Sequence, residues 1–481
     1  MMSIYADVVL GGWKRIGTRF LPFADVASTE LPIGRLLRLA LFQLTVGMAT
    51  ALLVGTLNRV MIVELSVSAS LVALMVSLPI LFAPFRALVG FRSDTHRSFL
   101  GWRRVPYLWI GTLLQFGGLA IMPFALIVLS GDSNGPAWIG HAGAALAFLL
   151  VGAGMQTTQT AGLALATDVA PVEARPRVVA LMYVMLLLGM VAGGTVFGLL
   201  LSDFSQIRLI QVVQGAALAT MLLNLLALWK QEVRDPVRAK TVPPRPPFGA
   251  AWRTFAAVAG RKRFLVAIGL GTAGFAMQDI VLEPYGAQVL GLSVGETTAL
   301  TALTASGALA AFALAARLLG RGADPHRVAA CGALVGIAAF ACVVFAAPLD
   351  SAALFRAGTL AIGFGGGLFS VGTLIVAMSL DAGDRAGLAL GAWGAVQATA
   401  AGLAIASGGA IRDLVATLAA NGVLGELYAA PAAGYSVVWH IELALLFATL
   451  VALGPLVRGS IVSGPWSDAP PARFGLADFP G

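Results

Sequence analysis

The chain has 481 residues, 58% of them hydrophobic and 11% charged, with a mean hydropathy of +0.88. Soluble globular domains carry roughly 25% charged residues, so this chain lacks the polar surface that water requires. Its net charge of +8 does not point to nucleic acid, because the basic residues are spread between apolar runs rather than gathered in one patch.

A bilayer core about 30 Å thick takes about 20 apolar residues per helix, and the runs here are too long for barrel strands. Punctuation by charge, Gly and Pro predicts an all-α polytopic membrane protein with about twelve transmembrane helices. The spans are placed at 36–62, 68–90, 105–130, 139–167, 177–202, 207–229, 263–290, 296–319, 326–348, 353–380, 385–411 and 434–457.

Residues 1–35 read as a cytoplasmic segment. Lys14, Arg15 and Arg19 suit an interfacial helix against anionic headgroups, and acidic residues and prolines among them argue against a cleavable signal peptide. Residues 36–229 form the first six-helix bundle. Near the end of span 1 lie Asn58, Arg59 and Glu64, polar groups at a depth where they are expensive. Between spans 2 and 3, Gly90 and Asp94 precede Arg103 and Arg104, a pattern that suits a charge-assisted latch between helices as well as a plain basic loop. Span 4 carries Gln156 and Gln159 on one face, ready to bond a ligand or a neighbouring helix.

Residues 230–262 are a polar linker with Pro243, Pro244, Pro246 and Pro247, dividing six spans from six. In the second bundle, 263–458, span 7 holds Gln278, Asp279 and Glu283, followed by Pro284, which lacks a backbone donor and frees a carbonyl. The two carboxyls are four residues apart and so share a helical face. They suit a proton-coupling pair, a partner for Arg59, or an acceptor for a ligand; alternatively Glu283 is solvated at the interface. His141 and His440, near the ends of spans 4 and 12, are weak candidates for ligating the magnesium of a chlorin. No other metal site is expected, because Cys331 and Cys342 share one apolar stretch without histidine at ligand spacing. Glycines at four-residue spacing in spans 5 and 11, such as Gly194 with Gly198 and Gly387 with Gly391, predict close helix packing. Residues 459–481 read as a disordered cytoplasmic tail. No nucleophile–base set or nucleotide loop is visible, so no enzymatic role is expected.

All but four of the 31 Lys and Arg residues fall on the side that holds both termini; the exceptions are Arg59, Arg208, Arg356 and Arg412. By the positive-inside rule both ends are cytoplasmic. The halves echo one another, with Leu65-Ser66-Val67 after span 1 and Leu292-Ser293-Val294 after span 7. They read as two pseudo-symmetric bundles.

This plan resembles the major facilitator superfamily, although the compact basic ending of that superfamily's loop 2–3 motif is displaced here to Arg103 and Arg104. The strings Gly55-Thr56-Leu57-Asn58-Arg59-Val60-Met61-Ile62-Val63-Glu64-Leu65, Gly101-Trp102-Arg103-Arg104-Val105-Pro106-Tyr107 and Gln278-Asp279-Ile280-Val281-Leu282-Glu283-Pro284-Tyr285-Gly286 are similar to the PucC/LhaA family, the bacteriochlorophyll-delivery branch of that superfamily. The resemblance implies an assembly factor for the light-harvesting antennae LH1 or LH2, a multi-pass protein of the inner (intracytoplasmic) membrane of a phototrophic bacterium. It promotes insertion or oligomerisation of antenna polypeptides, and its expected contacts are those polypeptides, pigment-synthesis or insertion machinery and membrane lipids. Bacteriochlorophyll is the implied cofactor. The alternative is an alternating-access transporter of a small or lipophilic solute, coupled to protons through Asp279 and Glu283.

Overall fold

The computed structural model describes residues 33–81, 102, 104–131, 135–170, 175–231, 260–379, 386–423 and 432–462. Among them are twelve helices: α1 (Gly34–Glu64), α2 (Ala69–Leu81), α3 (Val105–Leu129), α4 (Ala137–Val169), α5 (Arg175–Leu200) and α6 (Gln206–Leu228), then α7 (Arg261–Gln288), α8 (Val294–Gly320), α9 (Pro325–Ala346), α10 (Ala352–Ser379), α11 (Ala386–Ala420) and α12 (Ala432–Val462). Eleven are long and apolar enough to cross a membrane, and the described part of α2 is a shorter apolar helix. Helices α11 and α12 extend beyond the predicted spans; in α11 the added stretch to Ala420 has three alanines, good helix formers that continue the helix past the apolar run. Most of the proposed linker, tail and N-terminal segment lies outside the described residues, but residues 459–462, read from sequence as the start of a disordered tail, continue the last helix, and residues 33–35 already belong to the first.

The surface is inverted relative to a soluble protein. Phe124, Trp138, Leu199, Ile207, Phe447 and Val451 are all more than half exposed, which suits contact with acyl chains. Glutamine, asparagine and threonine are found inside: Gln43, Thr45, Thr112, Gln115 and Thr158 are fully buried. Three of the first bundle's helices are tied by one chain of hydrogen bonds. Thr45 donates to Asn224 Oδ1 at 2.8 Å, and Asn224 Nδ2 donates to Thr112 Oγ1 at 3.1 Å. Gln115 on α3 donates to Thr158 on α4 at 2.9 Å. In a hydrocarbon setting such bonds supply the specificity that the hydrophobic effect no longer provides between helices.

The halves meet through α2 against α11 and α5 against α8. Small residues make the second contact possible. A Cβ on Gly194 would lie 2.8 Å from Ala302 N, and one on Gly198 would lie 2.9 Å from Gly295 O. Helix α1 also reaches across, with Thr56 and Thr298 hydroxyls 3.3 Å apart. These contacts lie towards the end of the bundle where α1 joins α2 and α7 joins α8. There Arg412 Nη2 donates to Gln288 at 2.7 Å and Tyr435 at 3.1 Å, while its Nη1 donates to Asp413 at 2.9 Å. Asp413 in turn accepts the amide of Ser70 at 2.7 Å, so a carboxylate from the second half caps the first turn of α2 in the first.

Candidate functional site

Two irregular helices face each other across the boundary between halves. Helix α1 leaves regular α-geometry over Ala51–Leu57 and Val60–Glu64, where it takes wide π-helical turns; such turns are rare and recur at functional sites. Between them sit Asn58 and Arg59. Helix α7 is interrupted at Met277, where a turn separates Arg261–Ala276 from Gln278–Gln288. The break precedes Pro284 by seven residues, so Pro284 does not itself end the helix.

Pro284 nevertheless leaves a trace. It has no N–H with which to bond the carbonyl four residues back, that of Ile280. Asn58 Nδ2 supplies the missing donor, lying 3.3 Å from Ile280 O and 3.2 Å from Asp279 O. A side chain from the first half thereby satisfies backbone of the second. Gly55, one turn before Asn58, lies directly against Thr301 of α8, and this allows the approach.

The second half contributes three carboxyls. Glu283 is 3% exposed, so it is not the solvated interfacial group that the sequence left open; its Oε1 accepts from Thr301 at 3.3 Å. Asp279 accepts from the neighbouring Gln278 side chain. The third carboxyl is Glu442 of α12, fully buried, whose Oε1 accepts the backbone amide of Gln278 at 2.7 Å. Glu442 thus caps the amide at the broken end of α7. Sequence reading missed it, although an acidic residue amid the apolar run of span 12 was the available signal.

Around the acids is an aromatic cluster. Tyr285 packs on Phe355, Tyr435 and Trp439 with ring centroids 5.5, 5.5 and 5.7 Å apart, and Trp439 reaches Phe340 at 6.0 Å. Trp439 is one turn from Glu442 and its ring N–H, though buried, has no partner.

The remaining predicted residues separate into other places. Arg59, 5% exposed, pairs with Glu64 on its own helix rather than with Asp279 or Glu283. Gln159 donates to Gln43 at 3.4 Å, an interhelical tie, while the Gln156 side-chain oxygen is buried without a partner. Of the expected latch, Gly90, Asp94 and Arg103 lie outside the described residues. Arg104 is buried at the start of α3 and its Nε donates to Asp168 at 3.0 Å, at the end of α4.

The two histidines differ in their fit to a chlorin. His440 is exposed on α12, facing outward from the bundle, and its Nδ1 lies 2.7 Å from the Ser436 carbonyl. An Nδ1–H donated to a carbonyl leaves Nε2 with a lone pair, the arrangement a metal-ligating imidazole adopts. His440 therefore fits the group chemically. His141 is half-buried near the start of α4. A lateral groove of about 570 Å³ lies between α5 and α6, with Arg208 and Asp203 among an otherwise mostly apolar lining.

The fold matches a bacterial homologue of the human lysosomal transporter Spinster, in its inward-facing and unoccupied conformation, with a TM-score of 0.65 at 15% identity over 90% of this chain and 98% of that one. That likeness establishes the major facilitator fold. Much closer in sequence is a protein of Rhodobacter capsulatus described as an uncharacterized protein in the puhA-bchM intergenic region, 58% identical over 96% of this chain and 97% of its own length. Protein PucC of Rhodovulum sulfidophilum is 59% identical over 83% of this chain and 89% of its own. The family model described as PUCC protein matches residues 56–461, a stretch that runs from α1 into the last turn of α12 and holds Asn58 and all three carboxyls; the chain belongs to the PUCC family.

Proposed function

We propose that this protein is an assembly factor for the LH1 or LH2 antenna of a phototrophic bacterium, acting in the intracytoplasmic membrane with both termini in the cytoplasm. It promotes the insertion or oligomerisation of antenna polypeptides and hands bacteriochlorophyll to them, and it is not an enzyme. Membership of the PUCC family carries this reading. The exposed His440, with Nδ1 engaged and Nε2 available, supports the pigment part. When bound, the pigment would supply a magnesium for an imidazole to ligate, and His440 would be the residue that holds it. The apolar exterior offers antenna helices a surface of matching polarity.

Deleting the gene in its phototrophic host tests the role. Antenna absorption should fall while antenna transcripts stay level, and expression in trans should restore it; unchanged antenna absorption would refute the reading. His440→Leu should lower the chlorin that co-purifies with the protein several-fold without changing its amount in the membrane. Equal chlorin in both would remove His440 from the account.

The alternating-access fold favours a second reading, a transporter of a small or lipophilic solute. Solute-dependent flux into liposomes by the pure protein would support it over the first.

A further inference from the structure

We propose that the groove between α5 and α6 is a binding site for one phospholipid with a zwitterionic headgroup that ends in a primary ammonium. Its phosphate sits on Arg208, its ammonium on Asp203, and one acyl chain lies along α6. The groove exists because α6 contributes Gly215, Ala216 and Ala219, whose side chains are too short to reach Val196 and Leu200 of α5. A Cβ on Gly215 would meet no atom within 4 Å, and Val196 and Leu200 are each about half exposed.

Length and volume select the occupant. From Arg208 to Ala219 the lining follows α6 for eleven residues, about 17 Å at 1.5 Å per residue. One leaflet of a hydrocarbon core about 30 Å thick is about 15 Å deep, so the groove runs the depth of a single leaflet from a charged end. A helix of that length and about 10 Å across fills about 1,300 Å³, more than twice the 570 Å³ of the groove. A transmembrane helix therefore cannot enter it, whereas a flexible chain one carbon wide can.

The charged end selects the headgroup. Arg208 lies in the first turn of α6 and Asp203 in the connection from α5. Arg208 Nη1 donates to the Asp203 carbonyl at 2.8 Å and to its Oδ2 at 3.4 Å. Both bonds use one nitrogen, so among the described residues Nε and Nη2 keep their N–H donors for a phosphate, the anion that a guanidinium fork suits. The Asp203 side chain is 89% exposed, and its Oδ1 can accept from an ammonium. A singly anionic headgroup would meet Arg208 but be repelled by Asp203, and a quaternary choline has no N–H to donate. Gln211, one turn below Arg208, also lines the groove and places an amide donor where the ester carbonyls of a glycerolipid follow its phosphate.

Native mass spectrometry of the full-length protein tests this, after purification in mild detergent and titration with phosphatidylethanolamine, phosphatidylcholine or phosphatidylglycerol carrying identical chains. The wild type should be half-loaded at a several-fold lower concentration of phosphatidylethanolamine than of the other two. Gly215→Leu, which fills the groove, should raise that concentration several-fold while leaving the midpoint of unfolding in lipid-free detergent unchanged. Asp203→Asn should bring phosphatidylethanolamine level with phosphatidylcholine. Equal loading of the wild type and Gly215→Leu would overturn the proposal, as would a preference for phosphatidylglycerol or a preference for phosphatidylethanolamine that survives Asp203→Asn. If Gly215→Leu lowers the unfolding midpoint, the Asp203→Asn comparison decides alone.

Discussion

Asn58 shows how one side chain can answer for a backbone defect elsewhere in the chain. Pro284 strips Ile280 of its helical donor, and the Asn58 amide replaces it from the opposite half. Asn58→Leu should therefore lower stability by about 1–2 kcal/mol, a figure typical of a lost interhelical hydrogen bond and an exposed acceptor. The effect is read as a lower midpoint of thermal unfolding in detergent. Asn58→Asp should be worse, since it exchanges the donor for a further acceptor beside the carboxyls; a variant as stable as wild type would contradict this account. Sequence alone singled out Asn58, Asp279 and Glu283, because expensive polar groups stand out in apolar runs. It could not assign partners. Arg59 could have paired with Asp279, Glu283 or Glu64, and only the wide turns of α1 decide for Glu64.

At the scale of helices, spacing in sequence translates into contact where small residues fall opposite each other. Gly194 and Gly198 on α5 meet Ala302 and Gly295 on α8, so the four-residue glycine period read from sequence marks a boundary between the halves as well as packing. Gly198→Leu should force α5 and α8 apart. Overpacking of this kind costs typically 1–3 kcal/mol, and the change should appear as faster proteolysis between the halves; Gly215→Leu, on a helix face with open space around the residue, should be close to neutral. The break in α7 was less legible. Pro284 suggested a disturbance near itself, yet the helix is interrupted at Met277, where Glu442 from the distant α12 satisfies the freed amide. Hydropathy along one span carries no record of a partner more than a hundred residues away.

For the whole molecule, an all-α membrane fold of about twelve helices in two pseudo-symmetric bundles was legible in composition and in the punctuation of the apolar runs. What a transporter fold does in a given chain does not follow from fold, since one architecture hosts unrelated functions. Here Arg412, Gln288, Tyr435, Asp413 and Ser70 tie the ends of α2, α7, α11 and α12 together across the halves, and in the proposed function the exposed His440 is the position for a pigment. The most direct measurement of the proposed role is the absorption spectrum and polypeptide content of the protein purified in mild detergent from native phototrophic membranes. Bound chlorin together with antenna polypeptides, the chlorin depleted in His440→Leu, is the predicted result. Colourless protein without antenna polypeptides, catalysing solute flux in liposomes, would contradict it.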